Sequence, residues 1–139
     1  MKRVFLLPAI LTMAAVVTFG QATSLEGEWV AVSASTRGIT RIVIAPERDG
    51  YTVEAWGKCH PNDCEWGKVI LTAVGDSVED NSFTRGFAVW EPGFASKYLV
   101  FSLDRRMLRV QTVTIFRDRS RRSSYRIVEY LRRSEETIP

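Results

Sequence analysis

From residue 25 onward the chain is a succession of short runs in which apolar and polar residues alternate, and no window carries a convincing helical stripe. Eight runs can be marked, at 27–34, 38–45, 51–57, 66–74, 82–90, 94–103, 107–116 and 124–132. Turn residues separate them: Arg48-Asp49-Gly50 after Pro46, Gly75-Asp76 through Asn81, Glu91-Pro92-Gly93, Asp104-Arg105-Arg106, and the arginine-rich stretch from Arg117 to Arg122. Even the most helix-tolerant window, Leu103 to Val110, runs straight into the β-branched Thr112-Val113-Thr114-Ile115. The expectation is therefore an all-β chain. Sequential strands with short connections predict an antiparallel up-and-down meander, and closing it into an eight-stranded barrel removes the two edges it would otherwise expose. A two-sheet sandwich of the same strands is the alternative, because counting strands does not show closure. An eight-stranded barrel is just wide enough to be filled by side chains or to hold one small ligand.

Ahead of these strands stands a different kind of segment. Met1-Lys2-Arg3 is a positive start, Val4 to Phe19 is an apolar run broken by Pro8 and two threonines, and Gly20-Gln21-Ala22 places small residues where signal peptidase reads them. Residues 1–22 read as a cleaved signal peptide and 23–139 as a single domain. The run is short for a membrane span, and polar Gln21, Thr23 and Ser24 follow at once. The mature protein is thus expected to be periplasmic or secreted and not membrane-integral. With 45% hydrophobic and 25% charged residues, the composition excludes a disordered chain and a collagen-like repeat.

An exported chain meets an oxidising environment, so Cys59 and Cys64 are expected to form a disulfide across a hairpin. If they face one another, Lys58 opposes Glu65, Gly57 opposes Trp66, and Trp56 opposes Gly67. Trp56 and Trp66 then point to opposite sides of the sheet. Cys59, His60, Asp63 and Cys64 are also ligand types that zinc accepts, but their spacing matches no usual knuckle, and no metal or cofactor is expected. A turn closed by a disulfide and stiffened by Pro61 suits recognition, with His60 and Asn62 as solvent-facing contacts.

Charge is uneven along the chain: residues 23–104 are net acidic, whereas 105–139 are net basic with arginine as their only cation. Arg117, Arg119, Arg121 and Arg122 crowd into one stretch, where forked guanidinium groups hold anions well. The same residues suit a solvated hairpin tip that resists aggregation. Arg119 and Arg121 are the candidate contacts there. The near-balanced charge of the mature chain argues against nucleic acid. Enzyme readings find little support, because no Gly-x-Ser-x-Gly turn and no Gly-rich phosphate loop occur, and His60 is the only histidine.

Leu25-Glu26-Gly27-Glu28-Trp29-Val30 resembles the Gly-x-Trp opening of the lipocalins and the wider calycin superfamily. That resemblance implies a barrel whose Trp closes the base while an arginine from the last strand packs across it, with Arg126 and Arg132 as candidates. It also implies a small amphipathic ligand, with Trp29 at the base and Trp56, Trp66, Tyr98 and Arg126 as ligand-binding candidates. The opening resembles equally the periplasmic inhibitors of bacterial metalloproteases, which block their enzymes with an N-terminal arm, here Thr23, Ser24 and Leu25. That implies an exported protein as the partner. The stretch Trp56-Gly57-Lys58-Cys59-His60-Pro61-Asn62-Asp63-Cys64-Glu65-Trp66-Gly67 is similar to a hairpin in exported bacterial domains of uncharacterised role. Trp29, Phe87, Tyr98, Phe101 and Tyr125 fall at strand positions and are expected in the core.

Overall fold

The computed structural model describes residues 24–134, so the expected signal peptide lies outside the described residues. Eight strands follow one another: β1 (Gly27–Ala31), β2 (Ile39–Glu47), β3 (Gly50–Gly57), β4 (Cys64–Ala73), β5 (Arg85–Trp90), β6 (Ala95–Asp104), β7 (Met107–Phe116) and β8 (Tyr125–Arg133). Each pairs antiparallel with its neighbour in sequence, and β1 pairs with β8 to close the barrel. The up-and-down barrel is thus the fold, and the sandwich is set aside.

Alternation decides what fills it. Trp29, Ile42, Ile44, Val53, Leu71, Leu99, Phe101, Leu108, Val110 and Leu131 point inward and are buried. They form one continuous core with Leu25 and the partly buried Tyr51, Phe83 and Leu103. Tyr51 and Phe83 stack with ring centroids 3.6 Å apart. Gly86 leaves room for this packing, because a Cβ there would meet Leu71 Cδ1 at 2.8 Å.

The core is centred on one end of the barrel, here called the base, and Ile39, Ala55 and Trp90 carry it part of the way toward the other. The turns at 48–49 and 105–106 and the loop at 74–84 lie at the base, where β1 also enters and β8 leaves. The loops at 32–38, 58–63, 91–94 and 117–124 all lie at the opposite end, the mouth.

Closure is uneven around the circumference. β6 and β7 are paired from Ala95↔Phe116 to Asp104↔Met107, whereas β4 and β5 pair only at Thr72↔Phe87 and Ala73↔Gly86. Toward the mouth these two strands part, and the Trp90 indole crosses the split to donate to the Gly67 carbonyl at 3.0 Å.

Three expectations are corrected here. The β3–β4 register is Gly57↔Cys64, Trp56↔Glu65, then a shift to Ala55↔Gly67, so Trp66 is the extra residue of a bulge and opposes neither Gly57 nor any other residue. Lys58 accordingly pairs with Asp63, at 3.7 Å, and not with Glu65. The arginine over Trp29 is Arg133, its guanidinium carbon 4.2 Å from the ring centre, and not Arg126 or Arg132. Odd-numbered positions of β8 face inward, since Leu131 is buried and opposes inward Leu108, which sends Arg126 and Arg132 outward. Finally, of the aromatic residues expected in the core only Trp29 and Phe101 are buried, while Phe87 and Tyr98 stack on each other outside the barrel. Tyr125 faces inward but lies near the rim and remains exposed.

Candidate functional site

The mouth half of the barrel is only partly filled: Ile39, Trp90 and Ala95 are buried there, but the β8 side is open. Ile127 and Tyr125 continue the inward face of β8, yet they are 39% and 48% exposed, which an apolar residue in a packed interior would not be. A cavity of about 420 Å³ lies beside them, lined by Ile39, Trp66, Lys97, Thr112, Ile127 and Glu129 among others. A second cavity, of about 530 Å³, lies at the split between β4 and β5 and is lined by Val69, Trp90, Pro92 and Phe94. Trp66, Lys97 and Cys59 border both. They form the partition between an inner and a lateral chamber.

The β4 bulge makes that partition. A bulge re-aims the side chain at the extra residue, and Trp66 here lies over Gly57, where an added Cβ would come within 2.8 Å of its Nε1. Gly67, the next residue, has φ +86, a conformation that favours glycine. The Trp66 ring meets the Trp90 ring edge-on at 6.0 Å and carries the Lys97 ammonium 4.8 Å above its face.

Several polar groups border the inner chamber: Arg37 and Lys58 from the mouth loops, and Lys97, Thr112 and Glu129 from the strands. Lys97 occupies an inward position of β6, in phase with Ala95, Leu99 and Phe101, and its Nζ donates to Thr114 Oγ1 at 3.4 Å. Glu129 occupies an inward position of β8, where its Oε1 accepts from the Ile39 amide at 3.0 Å and the Thr36 hydroxyl at 3.5 Å. Burial raises its pKa above the ordinary value of 4.5, while those hydrogen bonds and the Lys97 charge pull the other way. Thr112, 3% exposed, has a buried Oγ1 without a hydrogen-bond partner.

Of the residues predicted from sequence, Trp66 lines the cavities, and the Cys59–Cys64 disulfide is present at their border. The bridge also commits both sulfurs to each other, which removes them as thiolate metal ligands. Among the described residues no three of His, Cys, Asp and Glu gather as a metal site would need. Trp29 is sealed in the base and borders neither chamber. Trp56 lies on the outer face under Arg41, 4.5 Å from its ring centre, and Arg41 also pairs with Glu28. Tyr98 and Arg126 are outward too, Tyr98 accepting from Arg117 at 3.3 Å. His60 and Asn62 are exposed on the Cys hairpin, and Arg119 and Arg121 on the 117–124 loop, so all four stand at the mouth end.

In that loop Arg117 donates to Ser96 at 2.5 Å, and Arg122 covers the Phe116 ring at 4.0 Å while pairing with Asp118 at 2.7 Å. The Ser120 hydroxyl and Arg122 both hold the Asp118 carboxyl below its ordinary value, the hydroxyl more strongly. Leu25 is fully buried and Ser24 is held by Arg133, so neither projects as a free arm. Thr23 lies outside the described residues.

Sequence reasoning did not single out Lys97, Thr112, Glu129, Trp90 or Arg133. The available signal was a polar residue in the apolar phase of a strand, as in Ala95-x-Lys97-x-Leu99 and Ile127-x-Glu129-x-Leu131.

Comparison with protein-family models, with curated proteins and with solved structures finds no match to this chain. Among the described residues no helix is long and apolar enough to cross a membrane.

Proposed function

We propose that this protein is an exported, non-enzymatic binding module that captures a small amphipathic molecule in the mouth of its barrel, as lipocalins do. The observation that carries this reading is the contrast between a packed base and a mouth whose inward Ile127 and Tyr125 stay open beside the inner chamber. Chambers of this size, which combine apolar side chains with charged and hydroxyl groups, suit small amphipathic ligands. Export is supported by the leader-like start of the sequence and by the disulfide. Trp66 and Trp90 border the lateral chamber, so their emission reports its contents. Titration with fatty acids, retinoids and aromatic metabolites is expected to shift tryptophan fluorescence in the native chain and much less in Trp66→Phe. If nothing in that panel shifts the emission, the reading fails.

A second reading, an inhibitor or adaptor acting on an exported protein such as a hydrolase, draws on the mouth loops. His60, Asn62, Arg119 and Arg121 are exposed at the same end, and the two arginines make no hydrogen bond or ion pair among the described residues. His60→Ala with Asn62→Ala should leave stability within about 0.5 kcal/mol. Recovery of an exported hydrolase by the native chain and its loss with that double change would favour this reading over ligand capture.

A further inference from the structure

We infer that the inner chamber contains a carboxylate-binding subsite, formed by Lys97 and Thr112 with Thr114 holding the lysine, and that the captured molecule is an organic monocarboxylate. The inference rests on the binding-module reading and names the ligand class for it.

Three observations converge. The first is an under-neutralised cation: Lys97 is half-buried, and its contacts are a threonine hydroxyl and the face of an indole. No described carboxylate forms an ion pair with it. An ammonium drawn partly out of water gains most from a full negative charge in hydrogen-bond reach.

The second is an unspent donor. Thr112 is 3% exposed, borders the chamber, and its Oγ1 has no partner. Leaving a buried hydroxyl unpaired costs about 1–3 kcal/mol, which a ligand oxygen in the chamber recovers once a χ1 rotation turns the Thr112 hydroxyl toward it.

The third is their placement. Lys97 opposes Thr114 on β7, so Thr112, two residues along, is its diagonal neighbour on the same face. Diagonal neighbours lie about 7–8 Å apart at the backbone, a span that a long lysine side chain and a two-oxygen acceptor fill. Each carboxylate oxygen then takes one donor.

The carboxylate already in the chamber, Glu129, feels the Lys97 charge but forms no ion pair with it. Glu129 Oε1 is turned to the Ile39 amide and the Thr36 hydroxyl at the opposite wall. Ile39, Ile127 and the Trp66 ring leave an apolar surface for the body of the acid.

The test uses the exported, disulfide-bonded chain with hydrocinnamate, its uncharged amide, and inorganic phosphate. Calorimetry measures affinity, and amide NMR shifts around Lys97 and Thr112 locate it. The acid is expected to bind at least about tenfold more tightly than the amide, the equivalent of one charge-assisted hydrogen bond. In Lys97→Met that preference should fall to within about twofold while the amide still binds, and Thr112→Val should weaken the acid about threefold to tenfold. Thr112→Val also removes an unpaired polar atom from the interior, so it should fold at least as well as the native chain. Equal affinities for acid and amide in the native chain would overturn the subsite and leave the binding module standing. Phosphate competing as well as the acid would overturn the monocarboxylate assignment. If neither organic probe moves the chamber signals at millimolar concentration, the subsite is overturned, and the binding module falls with it only where the fatty-acid, retinoid and metabolite panel is silent too.

Discussion

Arg133 shows how one side chain can secure a closed sheet. Its guanidinium covers the Trp29 ring and donates to the carbonyls of Ser24 and Glu26, each at 2.7 Å, while Trp29 Nε1 donates to the Leu25 carbonyl at 2.9 Å. The last strand thereby holds both the first strand and the segment that precedes it. Arg133→Met is expected to cost about 2–3 kcal/mol in urea unfolding, from two charge-assisted hydrogen bonds and a cation–π contact. Arg126→Met, outward and exposed, should stay within about 0.5 kcal/mol. Glu129 supplies a second prediction at this scale. Because burial raises its native pKa above 4.5, the folded state holds a proton that the unfolded state has already released. Its contribution to stability is therefore greatest below 4.5 and is lost as pH rises through the higher native value. Unfolding measured across that window should show this decline in the native chain, and Glu129→Gln should remove it. An identical pH profile for the two proteins would refute it.

Among the elements, β4 departs furthest from regularity, and it is where sequence and structure part company. Strand number, antiparallel order and the disulfide were legible, because alternation and turn chemistry are local. The register after Cys64 was not, since one extra residue, Trp66, shifts every later pair and no local rule marks a bulge except a glycine that has other uses. Gly67 is that glycine. A Cβ on it would meet nothing within 4 Å, so Gly67→Ala tests backbone conformation alone, at φ +86. It should cost about 1–2 kcal/mol and reorient Trp66, visible as a changed near-ultraviolet circular dichroism band. The candidate site was less legible than the fold, because it is assembled from inward polar positions on β6, β7 and β8 whose phase becomes clear only once closure fixes which side is inside. Tyr98 and Arg126 were misplaced for the same reason. The disulfide at the start of β4 closes a loop of six residues, and Cys59→Ser with Cys64→Ser should lose about 2 kcal/mol by chain entropy. Free thiols alkylated in the native protein without reduction would contradict the bridge.

The whole molecule divides into a packed base and an open mouth, and the two halves should respond differently to truncation. Phe101→Ala, at a fully buried position, is expected to cost about 3–5 kcal/mol, whereas Ile127→Ala at the mouth should cost less than about 1 kcal/mol because that side chain already meets solvent. Equal losses would mean that the mouth is packed as tightly as the base. An even number of strands in simple succession has a further consequence. β1 enters and β8 leaves at the same end, next to each other and opposite the chambers. A tether attached upstream of Ser24 or downstream of Ser134 therefore leaves the opening unobstructed, so the protein can be grafted to a bead, an electrode or another domain from either terminus with its mouth turned outward. A circular permutant that joins those adjacent ends and cuts the 117–124 loop would instead direct the attachment point into the opening.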